Sequence, residues 1–283
     1  MGNKVKKVIF WIVILFLCFI ACYPVWFLIT GSLMGQSQLQ QVLGPALENG
    51  DGYVSFPILP LYPTLRHYVG ILLDSPEFFS MFWNSVKIAG GILLGQVIVS
   101  VPAAWGFARF SFPGKRVLFL LYIVLMMMPF QVTMLSNYLV MDGLGLLDTL
   151  WSIILPGIFS TFPVFLIYRF FTGIPEALME SARLDGAGEW QIFFRLGLPL
   201  GSAGIISAMV LGFLEYWNLI EQPLAFLKDK SNWPLSLYLP EISLSQAGSA
   251  FVASVLAMIP ALFIFIVGRD YLERGIVAAA VKE

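Results

Sequence analysis

The chain has 283 residues, of which 59% are hydrophobic and 12% charged, with a formal net charge of −1. A soluble domain carries about 25% charged residues, and a chain with a mean hydropathy of +0.85 cannot hide its apolar surface in one core. This composition excludes a soluble globular protein, and no basic patch is dense enough to suggest a nucleic-acid binder.

The hydropathy pattern predicts an all-α membrane protein: one domain, 1–283, with six spans near 8–30, 84–108, 117–138, 149–173, 200–224 and 250–268. The first span follows Lys4, Lys6 and Lys7 and runs to Thr30. It is longer than the roughly 7–15-residue core of a cleaved signal, and at about 1.5 Å per residue it crosses a bilayer. It reads as an uncleaved anchor with Trp11 and Trp26 near the interfaces. Cys18 and Cys22 share one face of it and read as small packing residues. Residues 31–83 form the largest polar stretch, rich in Pro and Gly and without the pattern of a folded domain. His67, the sole histidine, reads as a solvated residue there. Pro102, Pro129, Pro156, Pro163 and Pro260 fall in or near spans, where each bends or breaks a helix.

Positive charge fixes the expected sidedness. Twelve of the sixteen Lys and Arg lie with the two termini, the 109–116 connector, the end of the fourth span (Arg169) and the 174–199 segment; Arg66, Lys87, Lys228 and Lys230 lie opposite. The bias puts both termini and residues 174–199 in the cytoplasm and residues 31–83 outside.

Enzyme chemistry is poorly supported. The Gly114-Lys115 pair is followed by Arg116 and lacks the phosphate-loop spacing. With one histidine, His-based metal sites and His-paired nucleophiles have no material.

The segment 176–199 stands apart. It is polar and helical in pattern, with small residues at Ala177, Ser181, Ala182, Gly186, Ala187 and Gly188. Pro175 suits a helix start, Glu176 and Glu180 suit the positive end of the dipole, and Gly186 suits a left-handed stop. Glu189–Arg195 restarts a helix and Pro199 marks entry to the fifth span. A small-residue helix-turn-helix outside the bilayer is what a membrane protein needs to dock a soluble partner.

This segment resembles the EAA loop of binding-protein-dependent ABC importer permeases. That pattern is Glu-Ala-Ala, three residues, Gly, nine residues, an aliphatic residue, any residue and Leu-Pro. Here it reads Glu180-Ser181-Ala182, Gly186, Leu196 and Leu198-Pro199, with Ser181 in place of the first Ala. The stretch through Asp185, Gly186 and Ala187 is most similar to the carbohydrate branch, and the chain to its six-span maltose-type subunit. Trp217, Asn218, Pro223 and Leu224 resemble the family's fifth span, and the end RGIVAAAVKE resembles its ATPase-contacting tail, which points to Gly275 and Lys282.

The resemblance implies the ABC importer permease fold, a second homologous permease subunit, two ATPase subunits and an extracytoplasmic sugar-binding protein. It places the chain in the plasma (inner) membrane of a prokaryote, in membrane lipid. It implies no cofactor in this chain, with ATP and Mg on the partner ATPases, and assigns coupling to Glu180, Ser181, Ala182, Asp185, Gly186, Ala187, Leu196 and Pro199. Other cargoes (polyamine, glycerol phosphate ester) and a non-transporting membrane scaffold for an ATPase are the alternatives.

Glu215 falls within the expected fifth span, where a carboxylate costs about 2.5–3.5 kcal/mol at the helix centre. Two readings stay open: Glu215, Tyr216, Trp217, Asn218 and Glu221 line a substrate path, or Glu215 makes a hydrogen bond to a partner subunit.

Overall fold

A computed structural model describes residues 2–47, 52–55, 57–238 and 244–280. Among these, regular structure is helical, apart from an isolated bridge between Met34 and Pro63. Five helical stretches are long and apolar enough to cross a membrane: Lys6–Ser32, Pro76–Arg109, Trp151–Thr172, Glu189–Trp217 and Ala247–Glu273. A sixth is a bent pair, Lys115–Met126 with Phe130–Gly143. The contacts group the chain into two compact units, Met1–Phe79 with Tyr238–Ile259, and Ser80–Leu237 with Pro260–Glu283.

In the first unit, helix α1 (Gly2–Ser32) exposes apolar side chains from Val8 to Ile20 on every side, as a helix facing hydrocarbon does. Its end is packed. A Cβ on Gly31 would lie 3.1 Å from the Phe251 ring, so glycine permits the approach, and Phe27 meets Phe251 edge-on at 5.5 Å. The 31–83 stretch is more structured than its Pro and Gly content suggests. It forms α2 (Gln36–Leu47) and α3 (Arg66–Asp74), and Met34, Leu39 and Val42 make a small buried core. Side-chain amides serve the irregular backbone there: Gln38 accepts from the Leu61 N–H at 3.1 Å, and Gln36 donates to the Leu244 carbonyl at 2.6 Å. His67 is not freely solvated. Its ring is half-buried against Gly248 and hydrogen-bonded to the Met34 backbone; burial, then Arg66, pushes its pKa down against that bond.

The second unit holds most of α4 (Pro76–Arg109), then α5 (Lys115–Met126), α6 (Phe130–Gly143), α7 (Trp151–Ile158) and α8 (Thr161–Thr172). The span expected at 117–138 is broken near Pro129: α5 and α6 meet at 104°. Pro129, immediately before α6, has no donor and disfavours helix at Met128, which explains a break at that place. The other prolines act differently. Pro163 lies in the first turn of α8, where no donor is needed, and Pro102 lies inside continuous helix.

Small residues let the helices of this unit approach closely. The positions a Cβ would take on Gly91 and Gly157 lie 3.2 Å from Ile154 and 2.8 Å from Ile92, which draws α4 and α7 together. Gly201 and Gly204 on α11 (Leu198–Trp217) face the rings of Phe171 and Phe170 on α8 with no room for a methyl. On α13 (Ala247–Ala280), Gly268 meets Val210 in the same way.

The fifth span starts earlier and ends earlier than 200–224. It is continuous from α10 (Glu189–Ile192) through a π turn (Phe193–Gly197) into α11 and stops at Trp217. The π turn sits just before Pro199. In a regular α-helix that proline would drive its ring into the Arg195 carbonyl, and a wider turn relieves the clash. Residues 221–224 belong to a separate short helix, α12 (Glu221–Phe226).

Candidate functional site

The 174–199 segment folds as a helix, a tight turn and a second helix. Helix α9 (Glu176–Leu184) begins after Pro175 and ends in a Schellman arrangement. The Ala187 N–H reaches the Ala182 carbonyl at 2.9 Å, and the Gly186 N–H reaches the Arg183 carbonyl at 3.0 Å. Gly186 has φ +85° with nothing within 4 Å of a Cβ, so backbone conformation, not lack of space, favours glycine here. Gly188 and Gln191 then start α10, the Gly188 N–H donating to the Gln191 side chain at 3.1 Å.

One face of this loop is anchored. Met179, Ile192 and Phe193 are buried in a core with Trp105 and Phe171, and Ala182, Ala187, Leu196 and Leu198 pack against it. The opposite face is open. Glu180, Ser181, Asp185 and Gly186 are exposed, and neither carboxylate has an ion pair among the described residues. Leu184 and Trp190 stand 89% and 72% exposed beside them. Unpaired carboxylates next to exposed large apolar groups form a surface suited to a protein partner. Pro199 is exposed at the start of α11.

A charge network that the sequence did not suggest fastens the loop. The Arg109 guanidinium, its side chain 6% exposed, donates to the Glu176 carboxylate at 2.8 Å and to the Phe171 and Ile174 carbonyls at 2.6 and 2.7 Å. It also lies over the Trp105 ring, 5.5 Å from the centroid. Arg183 bridges the other Glu176 oxygen at 3.0 Å and Glu189 at 2.9 Å. The hydrogen bond from Arg183 is the largest influence holding the Glu176 carboxyl below the usual carboxylate range; burial opposes it, and the hydrogen bond and charge of Arg109 add to the lowering. The two carboxylates raise Arg183 in turn.

The residues grouped at the end of the fifth span separate onto two sides. Glu215, Asn218 and Glu221 are exposed. Tyr216 turns inward: its hydroxyl meets the Gln96 side-chain amide at 2.9 Å, and the same nitrogen reaches the Gly157 carbonyl at 2.8 Å. Trp217 is buried, stacked on Phe213 at 5.4 Å and edge-on to Phe82 at 5.8 Å. Asn218 donates to the Leu214 carbonyl at 2.8 Å, closing the helix end. Glu221 accepts from Gln131 through both oxygens at 3.0 Å, which brings the first turn of α6 to this polar strip. Nothing in the sequence pattern pairs Gln131 with a residue 90 positions away. Of the tail positions, Gly275 has helical backbone, and Lys282 lies outside the described residues.

Residues 96–278 match the family described as binding-protein-dependent transport system inner membrane component. The chain is 28% identical to the arabinooligosaccharides transport system permease protein AraQ of Halalkalibacterium halodurans, over 100% of both chains. It is 29% identical to the diacetylchitobiose uptake system permease protein NgcG of Streptomyces coelicolor, over 74% of this chain and 71% of the relative. It is 27% identical to the sn-glycerol-3-phosphate transport system permease protein UgpE of Brucella abortus, over 91% of each. Its fold is similar to a chain in the crystal structure of a bacterial ABC transporter involved in the import of the acidic polysaccharide alginate, with a TM-score of 0.80, 20% identity and coverage of 96% and 98%.

Proposed function

Because this chain belongs to the family of binding-protein-dependent transport system inner membrane components, we propose that it forms, with a second homologous permease, the membrane path of an importer for an oligosaccharide. The observation that carries the cargo is the end-to-end likeness to an arabinooligosaccharide permease, with a diacetylchitobiose permease beside it. An extracytoplasmic binding protein delivers the sugar. Two separate ATPase subunits bind ATP and Mg and grip the exposed face of Glu180, Asp185 and Gly186; this chain hydrolyses nothing itself. Both termini lie in the cytoplasm, a point that reporter fusions at residues 2 and 283 test by signalling on that side.

Glu215, Asn218 and Glu221, with Gln131, are the side chains available to hydrogen-bond passing hydroxyls. Tyr216 and Trp217 hold the helices that present them. The likeness to an sn-glycerol-3-phosphate permease supports a second cargo. Calorimetric titration of the associated binding protein separates the two. Binding of arabinooligosaccharides or diacetylchitobiose supports the sugar reading, and binding of sn-glycerol 3-phosphate alone overturns it.

A further inference from the structure

Helix α9 is nine residues long and is held by two soft joints. Gly173, Ile174 and Pro175 connect it to α8, and the left-handed Gly186 turn connects it to α10. A short helix so tethered would swing under load unless something stiffened one joint. Arg109 spans the first joint. From the last turn of α4 it reaches the Phe171 carbonyl at the end of α8, the Ile174 carbonyl within the connector and the Glu176 carboxylate at the first residue of α9. The contacts are 2.6–2.8 Å, and the side chain is nearly enclosed, with its guanidinium carbon over Trp105, 5.5 Å from the ring centroid. The planar fork suits this task, since a lysine offers one point charge and cannot hold three acceptors in fixed directions.

Trp105 extends the clamp to the fifth span. It is edge-on to Phe171 at 5.1 Å and tilted on Phe193 at 5.5 Å, and the Cβ position of Gly197 lies 2.7 Å from its ring. From the exposed side, Arg183 ties Glu176 to Glu189 at the start of α10. The ends of α4 and α8 and the start of the fifth-span helix therefore converge on one buried cation and its aromatic support.

Resting on the importer reading above, we infer that Arg109 is a positioning residue that locks α9 to the ends of the second and fourth spans, so that an ATPase moving α9 moves those spans as one body. Nearly enclosed within this chain, Arg109 acts through Glu176 and the Phe171 and Ile174 carbonyls.

The test uses the complex purified from native membranes through a tag on this chain, with Cys18→Ser and Cys22→Ser, and spin labels at Ser111→Cys and Leu178→Cys, both exposed positions, the second on α9 and outside the proposed docking residues. Absence of an ATPase from the unsubstituted complex overturns the importer reading and this inference with it. With ATPase present, electron double resonance reads the distance between the labels before and after trapping with ATP and vanadate. The inference expects an unchanged distance in the unsubstituted chain. In Arg109→Lys it expects a distribution that shifts or broadens on trapping while ATPase recovery stays the same, with a smaller shift in Glu176→Gln. A distance that changes on trapping without substitution, or that stays fixed in both variants, overturns it. Where Arg109→Lys fails to assemble, Glu176→Gln alone decides.

Discussion

The 174–199 loop and the strip from Glu215 to Gln222 are both polar interruptions of apolar helix, and they spend their polar groups in opposite ways. The loop pairs its charges with one another and with Arg109, leaving Glu180 and Asp185 free on the outer face. The strip turns alternate residues inward, where Tyr216 and Gln222 meet buried polar groups of other helices, and outward, where Glu215 and Glu221 are exposed. In the proposed importer, a loop transmitting force would need a stiff inner face and a free outer one, and a strip meeting solute would need exposed groups on a fixed scaffold.

The largest expected effect comes from breaking the loop at its turn. Valine at Gly186 would hold a β-branched residue in left-handed backbone, costing about 1–2 kcal/mol or more, although no neighbour obstructs it. Gly186→Val is expected to abolish uptake at normal membrane abundance, measured by quantitative blotting beside an uptake assay. Gly186→Asn, which tolerates that conformation, is expected to retain much of it. Equal uptake in Gly186→Val and wild type would remove the turn from coupling.

Breaking the strip's scaffold comes second. Gln96→Leu leaves the Tyr216 hydroxyl and the Gly157 carbonyl without this partner, at about 1–3 kcal/mol for a buried polar group left unpaired. The chain in detergent is expected to melt at lower temperature. Unaltered melting would show that the buried bonds do not bind these helices together.

Third, the exposed side of the strip separates solute from scaffold. Glu215→Ala and Glu221→Gln are expected to reduce uptake without lowering the melting temperature. Unchanged uptake in both variants would remove them from the path.

The smallest effect concerns the outer charge pairs of the loop, which are half-exposed and screened. Glu176 has its pKa lowered by folding, so its contribution is present above the ordinary carboxylate range and disappears as pH falls through the lowered value. The melting difference between wild type and Glu176→Gln should therefore be widest near neutral pH and close on acidification. A gap that widens toward acid would reverse the sign.

The loop was legible in the sequence because charge between two apolar runs is a one-dimensional signal, and Gly186 has few explanations besides a left-handed turn. The strip was less so. Tyr216 follows Glu215 directly, yet about 100° of helical rotation points the two in different directions, and only packing says which faces inward. Arg109 and Glu176 are 67 residues apart and Gln96 and Tyr216 are 120 apart, so no local pattern joins either pair. Pro129 could be expected to break a helix, but the 104° turn depends on what α6 packs against. The helix at Trp217 ends seven residues short of the hydropathy boundary at 224, because the backbone breaks at 218–220 and Pro223 and Leu224 belong to the separate helix α12, a break that hydropathy does not register.

Docking of an ATPase on the outer face of residues 176–199 is open to native mass spectrometry of the complex purified in mild detergent through a tag on this chain. One copy of this chain, one second permease and two ATPase subunits are expected, with the ATPases lost in Glu180→Arg/Asp185→Arg while the second permease is retained. Recovery of this chain alone, or of ATPases undiminished in that double variant, would contradict it.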